Sequence, residues 1–220
     1  MRRLLLINPN TNNAMTQIIS AHLNQIFVEQ MRGEQVQIVS ATASFGAPYI
    51  STEASYAVAA HATLDAWMKH AKHDQNIERT LIACFGDPGL FALREVSVKP
   101  VTGLAEASFL EAAQIGDFAV VTGGKAWAPM LRRLAQSLGF SDQLIAIQTV
   151  DASGAELAAD PVAASGLLAN ACRNVLRLHK PKAIILGGAG LAGMARQIQP
   201  QFDVPIIDSV SAGARWALDS

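Results

Sequence analysis

The residue set best suited to chemistry centres on Cys84, in Ala83-Cys84-Phe85-Gly86-Asp87-Pro88-Gly89, where an apolar run meets a glycine- and proline-rich turn. Backbone N–H groups after such a turn converge on one spot, where they hold an anion and lower a thiol pKa. Glycine in the turn lets a ligand approach the main chain. A free cysteine is most often buried packing, but the end of an apolar strand weighs toward a functional thiol. A thiolate placed there, beside N–H donors, can do chemistry on a bound anion or polar ligand.

A second loop, Gly187-Gly188-Ala189-Gly190-Leu191-Ala192-Gly193, also follows an apolar run. It lacks the Lys-Ser/Thr of a P-loop and does not open the chain like a dinucleotide fingerprint. Alone it reads equally as tight strand–helix packing or as a binding loop. As the mirror of the Cys84 loop it becomes the other wall of one site. A third segment, Asn8-Pro9-Asn10-Thr11, ends the first apolar run, and Asn10 or Thr11 can cap the next helix. Its amides and hydroxyl also suit substrate oxygens, and its counterpart is Thr122-Gly123-Gly124. Asn10 and Thr122 are the side-chain donors expected to join the loop N–H groups on an oxyanion.

Other polar residues carry weaker signals. Cys172 lies within a helical pattern and reads as packing. His22, His61, His70, His73 and His179 occur in helical, mostly polar stretches without a metal-ligand context. Asp87 and Glu106 are carboxylates near strand ends, Glu106 at the start of a helix whose dipole suits its charge. Residues 45–49, Phe45-Gly46-Ala47-Pro48-Tyr49, read as an ordinary loop, with overhang of the cleft as the other reading.

These loops need strands to hold them. Strands are expected at residues 4–7, 35–39, 79–84, 99–101, 118–122, 144–147, 183–186 and 205–207. Helices are expected at 12–31, 52–73, 127–137, 161–178 and 211–218. The alternation predicts an α/β protein with mostly parallel sheet. The chain also repeats itself: residues 4–10 match 118–124, 80–90 match 183–191, and 99–107 match 204–212, in the same order. The expected architecture is two pseudo-symmetric α/β halves with the active cleft between them, beside the carboxyl ends of the strands. Residues 1–98 with 207–220 are assigned to the first half and 99–206 to the second.

The chain has 220 residues, half of them apolar, and a net charge of −1, so a large core is available and no basic patch invites nucleic acid. The apolar runs are strand-sized, which excludes a membrane span. Two cysteines make no disulfide framework, and a reducing cytoplasm is expected. The partner implied is a small-molecule substrate.

The segments Ile7-Asn8-Pro9-Asn10-Thr11, residues 83–89, Gly103-Leu104-Ala105-Glu106-Ala107 and residues 185–190 together resemble the aspartate/glutamate/hydantoin racemase superfamily, nearest its hydantoin and allantoin racemases. The resemblance runs from residue 7 to about residue 213. It implies two α/β halves, each giving one thiol, that move a proton between the two faces of a carbon without metal, pyridoxal or nucleotide. Homo-oligomers are common in the superfamily, so a homo-oligomer is also implied. Cys84 matches the first-half cysteine, and Asn10 and Thr11 match the substrate-binding segment. The neutral Asn8 speaks against the aspartate and glutamate branch, which carries an acid after the first strand.

The family's second cysteine falls where this chain has Gly188, and Cys172 lies too early and in the wrong element to replace it. The expected set is therefore catalytic Cys84, with Asn10, Thr11, Phe85, Gly86, Thr122, Gly123, Gly188, Ala189 and Gly190 against the substrate, and no metal or cofactor. Racemisation alpha to a carbonyl is the leading expectation. A one-thiol decarboxylase like the arylmalonate decarboxylases is the alternative, since loss of carbon dioxide leaves an enediolate that needs only one proton. Those enzymes keep their cysteine in the second half, so this chain would protonate the opposite face. Maleate-isomerase-type chemistry fits less well, and a non-catalytic binder of small carboxylates or cyclic amides is the third reading.

Overall fold

Short apolar runs bounded by turn residues become the strands of two four-stranded parallel sheets in the computed structural model, which describes residues 2–30, 36–72 and 74–218. The first sheet holds β1 (Arg2–Asn8), β2 (Val36–Thr42), β3 (Arg79–Ile82) and β4 (Val101–Gly103), in the order β2-β1-β3-β4. The second holds β5 (Phe118–Gly123), β6 (Leu144–Val150), β7 (Ala183–Gly187) and β8 (Ile206–Asp208), in the order β6-β5-β7-β8. The second order is the first displaced by four strands, so the expected pseudo-symmetry is present.

Helices α1 (Asn13–Gln30), α2 (Glu53–His70), α3 (Leu90–Val96) and α4 (Leu104–Ile115) follow the first four strands. After β5 comes α5 (Trp127–Ser137), and after β6 come α6 (Gly154–Ala159) and α7 (Pro161–His179). Helix α8 (Met194–Ile198) follows β7, and α9 (Ser209–Leu218) follows β8. Capping boxes start two of them, Thr52 with Ser55 at α2 and Ser153 with Glu156 at α6.

Central strands are buried on both faces, as parallel strands covered by helices must be. In β1, Leu4 and Leu6 enter one core while Leu5 and Ile7 enter another, the two-residue period of a strand. The core on the inner side is common to both halves: Leu4, Leu104 and Phe109 pack in it with Phe118, Val120 and Ile185. The Phe109 ring lies 5.5 Å from that of Phe118 and 5.9 Å from that of Phe140. At about 1.5–3 kcal/mol for each fully buried large side chain, this shared core fixes the two halves against each other.

Sheet membership runs past both expected joints. Residues 101–103, assigned to the second half, pair with β3 through Thr80↔Val101, Leu81↔Thr102 and Ile82↔Gly103. Residues 207–208, assigned to the first half, continue β8 beside β7. A short edge strand carries no mark of its partner, so its sheet is set by the register of its neighbour. Helix α9 does cross over, packing on α1 and α4.

Candidate functional site

Strand register places the two loops singled out in the sequence at equivalent positions. Ile82 pairs with Ile7 and Gly103, while Leu186 pairs with Val121 and Asp208. Cys84 and Gly188 each stand two residues beyond these, at the carboxyl ends of β3 and β7. Both line one cavity of about 80 Å³, room for several water-sized groups.

Asn10, Cys84 and Phe85 from the first half meet Thr122, Gly123, Gly188, Ala189 and Gly190 from the second in this cavity. Thr11 and Gly86, expected against the substrate, lie outside its wall. The Thr11 N–H donates instead to Ala47 O at 3.2 Å and holds the 45–49 loop. Gly86 sits under the ring of Trp127: a Cβ there would fall 2.3 Å from Cζ3, and its φ of +147° would strain any other residue on its own account. Gly86 O also accepts from the Tyr56 hydroxyl at 2.7 Å. Its part is to shape the Cys84 loop.

Sequence reasoning missed much of the second-half wall and gave the roof only as the second reading of residues 45–49. Pro48, Tyr49 and Ile50 line the cavity, so the loop after β2 overhangs it, and Trp127 and Gly154 complete the side. The available signal was an aromatic residue in a loop at the carboxyl end of a parallel strand, where binding residues concentrate.

Several polar groups have fixed duties. Asn8 is fully buried, and its Nδ2 donates to Asn10 Oδ1 at 2.9 Å and to Thr16 Oγ1 at 2.9 Å. The cap of α1 is Asn12, not Asn10 or Thr11, with Oδ1 accepting from the Met15 N–H at 3.1 Å. Thr122 was expected as an oxyanion donor, but its hydroxyl donates to Gly187 O at 2.7 Å and ties β5 to β7. The Gly188 N–H is likewise spent on Ser209 Oγ at 3.2 Å. The N–H groups of Cys84, Phe85, Ala189 and Gly190 carry no hydrogen bond among the described residues. They remain as donors on the two facing loops.

The electrostatics reverse one expectation. Burial pushes the Cys84 thiol up, and the Asp87 carboxylate adds to the effect. Among the described residues no Lys, Arg or His side chain lines the cavity to oppose it. Asp87 faces away, toward the start of α4, where Oδ1 accepts from the Ala105 N–H at 2.9 Å and Oδ2 from the Glu106 N–H at 2.8 Å. Burial nevertheless raises its own carboxyl to about 7, against the pull of those donors. Glu106 is held by Arg94 and Thr102, apart from the cavity.

Cys172 is buried in the outer core of the second half and pushed up to about 12 by that burial, which fits packing. His22 meets Ser211, and His61 stacks edge-on against Phe45. His73 lies outside the described residues. Among the described residues no three His, Cys, Asp or Glu side chains gather as a metal site, and no helix is long and apolar enough to cross a membrane.

Residues 4–217 match the family described as Asp/Glu/Hydantoin racemase, and the chain belongs to that family. It is similar to the hydantoin racemase of Pseudomonas sp. (strain NS671), 31% identical over 216 residues that cover 98% of this chain and 84% of that one. Among solved structures it is similar to the allantoin racemase from Klebsiella pneumoniae, with a TM-score of 0.88 and 32% identity, over 99% of this chain and 86% of that one. Unliganded arylmalonate decarboxylase, at 17% identity and a TM-score of 0.62 over 99% of this chain and 91% of that one, shares the fold.

Proposed function

We propose that this chain is a cofactor-independent racemase acting at a carbon alpha to a carbonyl in a hydantoin- or allantoin-like cyclic amide, with Cys84 as the thiolate base. The observation that carries the reading is that Cys84 and the register-equivalent Gly188 face one small cavity under unspent N–H donors. Relatives named for hydantoin and allantoin racemisation supply the substrate class.

In this reading the thiolate takes the α-proton and the carbonyl oxygen gains negative charge. The N–H groups of Cys84, Phe85, Ala189 and Gly190 are placed on the loops that would receive it. Losing one such donor typically costs about 2.7–4 kcal/mol of transition-state stabilisation. Burial keeps the thiol protonated at rest, so deprotonation adds about 1.4 kcal/mol to the barrier for each unit by which the thiol pKa exceeds the working pH.

The test is incubation of single enantiomers of allantoin and of a 5-monosubstituted hydantoin in heavy water, followed by proton NMR and polarimetry. Deuterium entry at the α-carbon with decay of rotation is the expected result. Absence of both across the panel rejects the reading. One observation favours a second reading: the cavity wall holds a single thiol. An α-aryl-α-methylmalonate releasing carbon dioxide to give one product enantiomer would identify a decarboxylase instead.

A further inference from the structure

A racemase needs a proton carrier on each face of the carbon, and Gly188 has none to give. We propose that the Tyr49 hydroxyl is that second carrier, serving the face opposite Cys84. The proposal rests on the racemase reading above and names the group which completes it.

Three side chains with a thiol or hydroxyl proton line the cavity among the described residues, Cys84, Tyr49 and Thr122, and that of Thr122 is spent on Gly187 O at 2.7 Å. Tyr49 comes from the loop after β2, yet its hydroxyl lies on the second-half wall. Its oxygen accepts from the Gly154 N–H at 2.9 Å. A Cβ at Gly154 would stand 3.4 Å from that oxygen, and one at Gly124 3.9 Å from it. Gly154 in turn abuts the glycine-rich loop, since a Cβ at Gly190 would fall 2.7 Å from Gly154 O. The phenol is thus tied to Gly154, which in turn abuts Gly190 of the second-half loop.

The direction of its hydrogen bond matters as much as its place. Gly154 donates to the phenol oxygen, and no described residue accepts the phenol's own hydrogen. Tyr56, the chain's second tyrosine, is different: its hydroxyl donates to Gly86 O at 2.7 Å and is occupied. Burial raises the Tyr49 phenol above its ordinary value, against the pull of the Gly154 N–H and the Trp127 side chain, and charge on Cys84 adds to the rise. Tyr49 therefore holds its proton at rest and is available as an acid when Cys84 acts as the base.

The proton account closes. The Cys84 thiolate takes the α-proton, an S–H bond forms, and the C–H pair becomes the enolate. The enolate carbon takes the Tyr49 proton on its other face, leaving a phenolate. In the reverse direction the phenolate is the base and the thiol the acid. Loss of the thiol proton to water and gain of one by the phenolate restores the first state.

The experiment uses Tyr49→Phe, which keeps the ring. Each enantiomer of allantoin and of a 5-monosubstituted hydantoin is followed in heavy water for both deuterium entry and rotation. The expected result is racemisation slowed at least about 100-fold in both directions. Deuterium entry into the enantiomer whose hydrogen faces Cys84 should persist within about threefold, with retained configuration. Racemisation within about threefold of the parent overturns the assignment, and so does proportional loss of exchange and racemisation, the mark of a structural role. A parent protein that exchanges nothing overturns the racemase reading itself, and this proposal with it.

Discussion

The carboxylate of Asp87 fills the space that a side chain at Gly103 would need: a Cβ there would lie 2.1 Å from Oδ1. Gly103 has an ordinary extended backbone with φ −126°, so the constraint is steric. Gly103→Ala should displace Asp87 from the α4 N–H groups and cost about 2–4 kcal/mol of stability. Urea unfolding measures it, and a loss below about 0.5 kcal/mol would contradict the contact.

Asp87 should also leave a mark on the pH dependence of stability. Its folded carboxyl sits near 7 against an ordinary 3.8. A carboxyl raised on folding stabilises fully below its unfolded value, and that stabilisation is lost as pH rises through the folded one. The parent should therefore lose stability between roughly pH 4 and 7 through this group. Asp87→Asn should flatten that slope. Because the amide caps α4 less well, the variant should be weaker at pH 4.5 by about 1–2 kcal/mol, with the gap narrowing by pH 8. Unfolding curves across the range decide it; a gap that widens with pH would refute the burial argument.

The raised Cys84 thiol makes an alkaline prediction. Below its pKa the thiolate fraction grows about tenfold per pH unit, so α-hydrogen exchange should climb from pH 7 to 9 without a plateau. Cys84→Ser should lower exchange of the enantiomer whose hydrogen faces residue 84 at least about 100-fold, with the melting temperature nearly unchanged because only one buried atom differs. A rate that levels off below pH 8 would mean a thiol pKa lower than this burial implies.

Placing a thiol at residue 188 is costly but informative. Gly188 has φ +150°, and a Cβ would press on Leu191 at 3.2 Å. Gly188→Cys should cost about 1–3 kcal/mol of stability. In the Tyr49→Phe background it should nonetheless raise racemisation at least about tenfold, since the new acid reaches the face that lost one. Polarimetry on the double variant, beside its melting curve, tests both halves of the statement.

The repeat was legible because three matched segments keep their order, and the Cys84 loop was legible because its residue types are unusual at a strand end. Glu106 marked the start of α4 but the hydrophobic period hid its extent, because its first six residues, Leu104 to Phe109, are all buried and show no polar face. The sheet of residues 101–103 and the meeting of Tyr49 with Gly154 depend on contacts between distant parts of the chain. The thiol's direction failed for a related reason. The sequence displays the N–H groups near Cys84 but neither its burial nor the absence of a cation in the finished cavity.

Cys84 and Tyr49 both precede residue 104, while the later copy of the repeat gives the cavity Thr122, Trp127 and a series of glycines. The two copies have divided their labour, one supplying exchangeable hydrogens and the other contour and dipole. Evolution in the later copy is then policed by shape, because a bulkier residue at 123, 187 or 190 collides with Ala152, Phe85 or Gly154 before any charge is involved.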